Sequence, residues 1–394
     1  METFNYCNKC ILQEGYGIVL SEKDGLCPSC LGYYGDEMFH KVEHLHEKFN
    51  DFKKYTEKRK TGGEYDCLLM LSGGKDSVYM LHKLVNIDKL KPLAFTIDHP
   101  FESHYGRENI EKTIKKIDVE HIMFTPNSAY KELLKHIFTM ETEDIAAKLD
   151  VQAPEKIPCI ICSSYMEILS FLFSKKMGIP YILYCADPNQ MFMAEDSMEN
   201  IITNFYKFCG EELVHKLFGT QLDHLKDSDF DSLPKIVYPY ISENYDRDTI
   251  ISEVKRLGLY DSSPHQTHCT LYGLLNYFSV KNFNRVFYVT EFAVDVRNGR
   301  IGREIAIKVI EQFKRQILEI AAHGNVGEET KQNLGGIVKY ICSSDAELEY
   351  LLKVILNMHD TAKELGFEIF GKSSETMKEA DSAIYDDEAC GFEF

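Results

Sequence analysis

The chain has 394 residues, an ordinary apolar share of 44% and a formal net charge of −18. This length accommodates one large domain with smaller attachments, whereas the charge repels phosphate backbones, so a nucleic-acid partner would need a local basic patch. With no long apolar run and no basic-then-apolar start, the sequence predicts a cytoplasmic protein without a membrane partner.

The first segment, residues 1–34, is short and rich in cysteine. Cys7 and Cys10 form one CxxC pair, and after sixteen further residues Cys27 and Cys30 form a second. Two such pairs supply the four thiolates of a closed tetrahedral zinc site, and in a long chain they favour metal chemistry over disulfides. We predict a structural Zn2+ here, with four unrelated reduced cysteines as the alternative.

The middle of the chain alternates short apolar runs with amphipathic stretches. A helix and a glycine-containing linker are predicted over residues 35–64. The runs that then predict buried strands are Cys67–Leu71, Leu93–Ile97, Ile122–Phe124 and Tyr181–Tyr184. Strands that alternate with helices indicate an α/β fold, and we predict a parallel doubly wound sheet within a domain over residues 65–300.

The remaining regions show little strand pattern. Residues 191–230 predict a helical insertion, and residues 301–372 predict a helical C-terminal region with breaks at 324–327 and 335–336. Residues 373–394 form an acidic tail.

A glycine-containing loop follows the first predicted strand directly. It reads Ser72-Gly73-Gly74-Lys75-Asp76-Ser77, and a helix is predicted from about Ser77. The glycines let the backbone approach an anion, the N–H groups and the helix N-terminus supply partial positive charge, and Lys75 adds a full charge. The loop therefore predicts pyrophosphate binding, with an ordinary glycine turn as the alternative.

This loop matches an SGGxDS signature, and the chain over Tyr65–Val289 resembles the PP-loop ATP pyrophosphatases, the adenine nucleotide alpha-hydrolase-like superfamily. The resemblance implies ATP and Mg2+ as ligands and adenylation of a substrate oxygen, which nitrogen or sulfur then replaces. It assigns ATP binding to Ser72, Gly73, Gly74, Lys75, Asp76 and Ser77, with Lys75 and Asp76 catalytic. Thr96 and Asp98, at the end of the second strand, would lie beside the adenosine. Asp98 also fits a solvated loop residue.

A third CxxC pair, Cys159 and Cys162, is predicted just before a helix over Ser163–Met177, where a helix N-terminus lowers the pKa of a thiol. Together with the distant Cys269, the pair resembles the iron-sulfur-dependent tRNA thiolases of the same superfamily. That resemblance implies that Cys159, Cys162 and Cys269 are catalytic and bind a [4Fe-4S] cluster with one open iron. A persulfide or disulfide pair and inert buried thiols are the alternatives.

Two further stretches resemble the N-acetyl sugar amidotransferases. They are Cys7–Ile11 with Asp24–Cys30, and Val294–Glu304. In that family an amide-type nitrogen is placed on a sugar, and a partner glutaminase supplies the ammonia.

The function predicted from these features is ATP-dependent adenylation of a carbonyl oxygen, followed by its replacement with sulfur from a cluster or a cysteine persulfide. The alternatives are amidation of an N-acetyl sugar and, in another class, a non-catalytic protein that binds nucleotide and zinc. A small molecule or a sugar suits the acidic chain better than tRNA. A sulfur donor or a glutaminase is the expected protein partner.

Overall fold

A computed structural model describes twelve stretches of the chain: residues 5–15, 18–31, 36–58, 64–141, 154–186, 197–225, 230, 233–243, 245–260, 269–324, 327–339 and 345–369. The predicted acidic tail lies outside these residues. The chain divides into two compact units. The first comprises Met1–Tyr33, Phe138–Lys156 and Thr270–Phe394, and the second Tyr34–Ile137 and Ile157–Cys269. The domain boundaries expected from the sequence stay predictions.

The second unit contains a parallel five-stranded sheet, which confirms the predicted fold class. Its strands are β1 (Cys67–Met70), β2 (Pro92–Ile97), β3 (His121–Phe124), β4 (Tyr181–Leu183) and β5 (Lys235–Val237). They lie in the order β3-β2-β1-β4-β5, so the order reverses beside β1. Leu68 pairs with Leu93 on one side and with Ile182 on the other. Strand β5, with only three residues, was missed in the sequence.

Helices cover both faces of this sheet. They are α2 (Asp36–Lys58), α3 (Lys75–His82), which continues as a π-helix over Lys83–Ile87, α4 (His104–Lys116), α5 (Asn127–Thr139), α6 (Ile157–Met177), α7 (Met198–Phe218), α8 (Pro239–Ser242) and α9 (Arg247–Arg256). Successive strand residues face opposite sides. Ala94 joins the core beneath α3, α4 and α9, while the next residue, Phe95, stacks on Phe173 of α6 with ring centroids 4.7 Å apart.

Strand β3 differs from its predicted burial. It lies at the edge of the sheet, and Ile122, Met123 and Phe124 are 37%, 45% and 45% exposed among the described residues. An edge strand has a neighbour on one side only, so an apolar run does not by itself require burial.

Helix α6 begins six residues earlier than predicted. A short 3-10 turn over Pro154–Lys156 precedes it, and Pro158 occupies its first turn, where proline is tolerated because the N–H has no intrahelical partner. The stretch Pro154–Met177 is long and apolar enough to cross a membrane, with a mean hydropathy of 1.6, but 61% of that window is buried inside the protein. Core helices of globular proteins have the same character.

The first unit combines the cysteine-rich segment with helices. These are α1 (Pro28–Leu31), α10 (Tyr272–Phe283), α11 (Val289–Arg297), α12 (Arg303–His323), α13 (Glu328–Val338), α14 (Asp345–Leu356) and α15 (Met358–Glu364). The predicted break at Gly335-Gly336 is wrong, because α13 runs through both glycines. A Cβ on Gly335 would lie 3.8 Å from Leu352 Cδ1, which is an ordinary packing distance, so the contact of α13 with α14 does not require glycine there.

Candidate functional site

The loop between β1 and α3 needs glycine at its second position. Gly73 has a φ of +72°, and a Cβ there would come within 2.1 Å of the backbone oxygen of Gly106 in α4. The buried Asn109 side chain donates to the Gly73 carbonyl oxygen at 3.1 Å. The loop is therefore held against α4 by a contact that any other residue would disrupt.

Two serine hydroxyls fix the rest of the loop. Ser72 Oγ and Ser77 Oγ lie 3.1 Å apart, and Ser77 Oγ also accepts from the Ser72 N–H and donates to the Gly74 carbonyl. Gly74 is the N-cap of α3 and offers no side-chain cap. The first N–H groups of α3 consequently point out of the helix without an intrahelical acceptor, which is the arrangement that binds phosphates.

Lys75 and Asp76 form a close ion pair at the start of α3. Lys75 Nζ lies 2.6 Å from Asp76 Oδ2, and both side chains are 14% exposed. Tyr245 donates to Asp76 Oδ1 at 3.1 Å, and Tyr240 donates to the Asp76 carbonyl at 2.7 Å. The carboxylate is thus fixed in place beside the loop.

The residues predicted to lie beside the adenosine occupy the end of β2. The Thr96 hydroxyl donates to the Leu71 carbonyl at 2.7 Å and lies 2.9 Å from His121 Nε2, so Thr96 ties β2 to β1. Asp98 accepts from Arg107 Nε at 2.8 Å in an exposed ion pair. Both lie at the carboxyl ends of parallel strands, and their adenosine role stays a prediction.

Cys159, Cys162 and Cys269 converge on one buried tyrosine. Tyr130 is fully buried, and its hydroxyl lies 2.6 Å from Cys162 Sγ. Burial raises the pKa of Tyr130, and so do all three cysteines. The structure therefore brings together two cysteines of α6 and a third that is distant in sequence.

The thiol of Cys162 differs from what the sequence led us to expect. Because α6 starts at Ile157, Cys162 lies beyond its first turn and is half-buried. Burial raises its pKa to about 11, a hydrogen bond with Tyr130 lowers it, and the Glu102 carboxylate raises it further. A metal would have to displace a proton from this thiol.

A histidine and a glutamate adjoin the same cysteines. His99 stacks on Tyr130 with ring centroids 4.7 Å apart, and His99 Nε2 lies 3.2 Å from Glu102 Oε2. Glu102 forms an antiparallel backbone bridge with Cys269. His99 Nδ1 and Glu102 Oε1 are buried and have no hydrogen-bond partner in the part of the chain that the structure describes. Buried polar atoms are rarely left unsatisfied, and where they are, a ligand or an ion is one explanation.

The phosphate loop and the cysteine set adjoin each other through Gly106. This residue contacts Gly73 through its carbonyl, and a Cβ on Gly106 would come within 2.4 Å of Glu102 Oε1 and 3.4 Å of the Ser72 carbonyl. Glu102 in turn opposes Cys269. The phosphate loop and the cysteine set therefore both lie at the carboxyl ends of the parallel strands.

Cys185 follows the end of β4. It packs against the core cluster that contains Cys67, and burial together with the Asp76 carboxylate raises the pKa of its thiol. Its neighbours place it beside the phosphate loop.

The four N-terminal cysteines form a compact group. The sulfurs of Cys7, Cys10, Cys27 and Cys30 all lie within 4.8 Å of one another. Cys10 Sγ and Cys27 Sγ are 3.6 Å apart, close to the edge of about 3.8 Å that Zn–S bonds of about 2.3 Å give a tetrahedron. A hydrogen bond with Cys27 lowers the pKa of Cys10 to about 5. This group fits a single tetrahedral metal ion.

Arg303 supports the first CxxC pair of this group. Its Nε donates to the carbonyl oxygens of Cys7 and Cys10 at 2.9 and 3.0 Å. In the structure it holds the first CxxC turn in place.

Three site residues were missed in the sequence. His99 and Glu102 follow Asp98 directly after β2, and extending the strand-end rule by four residues would have found them. Tyr130 lies on α5 in an ordinary amphipathic pattern, so no sequence signal distinguishes it.

Comparison with known proteins gives only low similarities. No protein-family profile matches the chain. Uncharacterized protein MJ1599 of Methanocaldococcus jannaschii is 29% identical over 140 residues, which cover 34% of this chain and 45% of that protein. The match thus spans less than half the length of the curated relative.

Three solved structures share some similarity with the chain. The U34-tRNA thiolase NcsA from Methanococcus maripaludis, with its [4Fe-4S] cluster, is 15% identical with a TM-score of 0.34, over 80% of this chain and 89% of that one. NMN synthetase from Francisella tularensis is 12% identical with a TM-score of 0.26, over 62% and 94%. Glutamine-dependent NAD+ synthetase from Acinetobacter baumannii is 14% identical with a TM-score of 0.24, over 73% and 46%. The function proposed below is carried by this chain's own residues.

Proposed function

We propose that the chain is an ATP-dependent enzyme of the PP-loop ATP pyrophosphatase type, which adenylates a substrate carbonyl oxygen and replaces it with sulfur. The observation that supports this most directly is the shared position of the two sites. The phosphate loop contacts Gly106, Gly106 contacts Glu102, and Glu102 opposes Cys269. A two-step transfer requires such proximity, because the activated carbon must be reached by the incoming nucleophile.

The first step uses the phosphate loop. The substrate oxygen attacks the α-phosphorus of ATP, and the bond to the leaving pyrophosphate breaks. The N–H groups at the start of α3 and the Lys75 ammonium would stabilise the charge on pyrophosphate. Asp76, fixed by Tyr245, would bind the accompanying Mg2+, since carboxylates are suitable ligands for that ion.

The second step uses the cysteine set. Cys159, Cys162 and Cys269 would hold a [4Fe-4S] cluster, and the chemistry that this group would supply is a bound sulfide as the nucleophile for the activated carbon, from which AMP leaves with the original oxygen. Soft thiolates are the appropriate ligands for such a cluster, and Glu102 and His99 each carry a buried polar atom to which no described residue gives a hydrogen bond. Zn2+ on Cys7, Cys10, Cys27 and Cys30 would be structural.

The substrate is proposed to be a small molecule or a sugar, because of the net charge of −18. The experiment below also tests tRNA as a substrate.

The activation step can be tested with a matched pair of glycine variants. Gly73 and Gly178 both have positive φ values, +72° and +68°, but a Cβ on Gly178 has nothing within 4 Å. Release of pyrophosphate from ATP is measured with bulk tRNA and, separately, with UDP-linked N-acetyl sugars. Gly73→Ala is expected to lose about a hundredfold or more in rate, and Gly178→Ala is expected to retain the wild-type rate. Equal rates in the two variants would contradict the proposed loop.

The transfer step requires metal and product analysis. Protein purified anaerobically should contain iron and sulfide, Cys269→Ala should lose both, and the product should gain the mass of sulfur in place of oxygen. Iron that survives the substitution, or is never present, argues against the cluster. A nitrogen-containing product formed with ammonium would instead identify an amidotransferase. No pyrophosphate release with either substrate class, combined with an unchanged ATP affinity in Asp76→Ala, would support a non-catalytic protein.

A further inference from the structure

We infer that Glu102 is the fourth protein ligand of the Cys159/Cys162/Cys269 site, and that an incoming sulfide displaces its carboxylate. The inference rests on the function proposed above. A [4Fe-4S] cluster is usually held by four cysteines, so three thiolates leave one iron for another group.

The backbone places Glu102 opposite a cysteine of the set. In an antiparallel pair, directly opposed residues project to the same side, with Cβ atoms about 5 Å apart. Glu102 and Cys269 form such a pair. Their side chains therefore face the same space.

The Glu102 carboxylate has one oxygen held and one available. Oε2 lies 3.2 Å from His99 Nε2, and the side chain is 15% exposed. Oε1 is buried, and the described residues supply it with no hydrogen-bond partner. Leaving a charged oxygen in that state costs stability, and coordination to a metal would remove the cost.

The groups around the carboxylate form an open series of contacts from Cys162 to Cys269. Cys162 contacts the Tyr130 hydroxyl, Tyr130 stacks on His99, His99 contacts Glu102, and Glu102 opposes Cys269. The charge of Glu102 also raises the pKa of Cys162, so the carboxylate lies within electrostatic range of a second thiol. His99 Nδ1 also has no hydrogen-bond partner among the described residues, but His99 is not paired through its backbone with a cysteine of the set as Glu102 is.

Sulfide can displace a carboxylate ligand from iron more readily than it can displace a fourth thiolate. Carboxylate oxygen is a hard ligand and binds iron-sulfur centres less firmly than sulfur does. Sulfide can therefore displace it, after which the carboxylate keeps its contact with His99. Glu102 would thus hold the iron until sulfide arrives.

The test uses the full chain, reconstituted anaerobically with iron and sulfide, as wild type, Glu102→Gln, Glu102→Ala and the control Glu253→Gln. Glu253 is a surface carboxylate of the same unit, paired with Arg256 at 2.6 Å. After brief mild oxidation, electron paramagnetic resonance measures the fraction of three-iron clusters. Both Glu102 variants should lose the unprotected iron and show a larger three-iron fraction than wild type and the control.

Titration with hydrosulfide, followed by visible absorption, gives a second measurement without turnover. Removing a competing internal ligand should tighten apparent hydrosulfide binding by about tenfold. Glu102→Gln preserves the size of the side chain, so it guards against a folding defect in Glu102→Ala, and melting temperatures verify both.

Three results would overturn the inference. If wild type holds a full cluster and the Glu102 variants match it in both measurements, Glu102 is not a ligand while the proposed function stands. If His99→Gln shows the two effects and the Glu102 variants do not, His99 is the ligand. If wild type takes up no iron, the proposed cluster chemistry fails together with this inference.

Discussion

The two cysteine sets hold their sulfurs in different ways. The sulfurs of Cys7, Cys10, Cys27 and Cys30 lie within 4.8 Å of one another, and Arg303 braces the first pair through the carbonyl oxygens of Cys7 and Cys10. Cys159, Cys162 and Cys269 form no such compact group among the described residues, and they adjoin Tyr130 and Glu102. A closed set of four thiols satisfies one ion completely, whereas three spread thiols beside unsatisfied polar atoms leave a position for chemistry.

Loss of the four-cysteine site at the N-terminus should have the largest effect on protein stability. Cys10→Ala removes a central thiolate, and structural zinc contributes about 10–16 kcal/mol to the folding of small zinc peptides. We expect zinc content to fall from one per chain to near zero and the thermal transition of the protein to move to a clearly lower temperature. Retained zinc, or an unchanged calorimetric transition, would show that this set is not structural.

Loss of the Cys159/Cys162/Cys269 set should reduce iron binding and sulfur transfer and should leave protein stability nearly unchanged. Cys269→Ala is expected to abolish iron binding and reduce sulfur transfer by more than about a hundredfold, because two thiolates remain for the cluster. Zinc content should stay at one per chain, and unfolding free energy should change by less than about 1 kcal/mol. Parallel metal analysis and denaturant melts check both. A large loss of stability would make this set structural as well.

Loss of Arg303, which braces the N-terminal cysteines, should lower zinc affinity less than loss of a zinc ligand does. Arg303→Gln removes the donor to two carbonyl oxygens, and substitutions in such supporting contacts typically cost about 10–100-fold in metal affinity. Arg300→Gln is the matched control, since Arg300 is exposed and pairs with Asp295 at 2.8 Å. Competition with a chelator measures zinc affinity. Equal affinities in the two variants would remove Arg303 from the site.

The smallest effect is expected at Tyr130. The Cys162 thiol, with a pKa of about 11, is protonated at neutral pH, so iron must displace its proton and uptake should rise with pH. The Tyr130 hydrogen bond lowers that pKa. In Tyr130→Phe, loss of a bond worth about 1 kcal/mol should therefore shift iron uptake to higher pH by up to about one unit. The pH midpoint of anaerobic iron uptake tests the shift, with Tyr206→Phe as control. A shift to lower pH would contradict the assigned role.

The sequence was most informative where the geometry of a site follows directly from the spacing of residues along the chain. The two N-terminal CxxC pairs predicted a four-sulfur group, and the glycines of the phosphate loop predicted a close backbone approach, which Gly73 makes to Gly106. It was least informative at β5, at the start of α6 and at the Gly335-Gly336 pair. There, short-range patterns were overridden by pairing and packing with residues distant in sequence.

The sequence by itself determined the alternation of strands and helices, the phosphate loop between β1 and α3, and the four-cysteine group, because each depends on residues close together in the chain. The tertiary structure decided that Cys269 joins Cys159 and Cys162, that Tyr130, His99 and Glu102 complete their surroundings, and that Arg303 braces the N-terminal cysteines. Those contacts join residues that are far apart in the chain, and only the folding of the sheet and its helices brings them together.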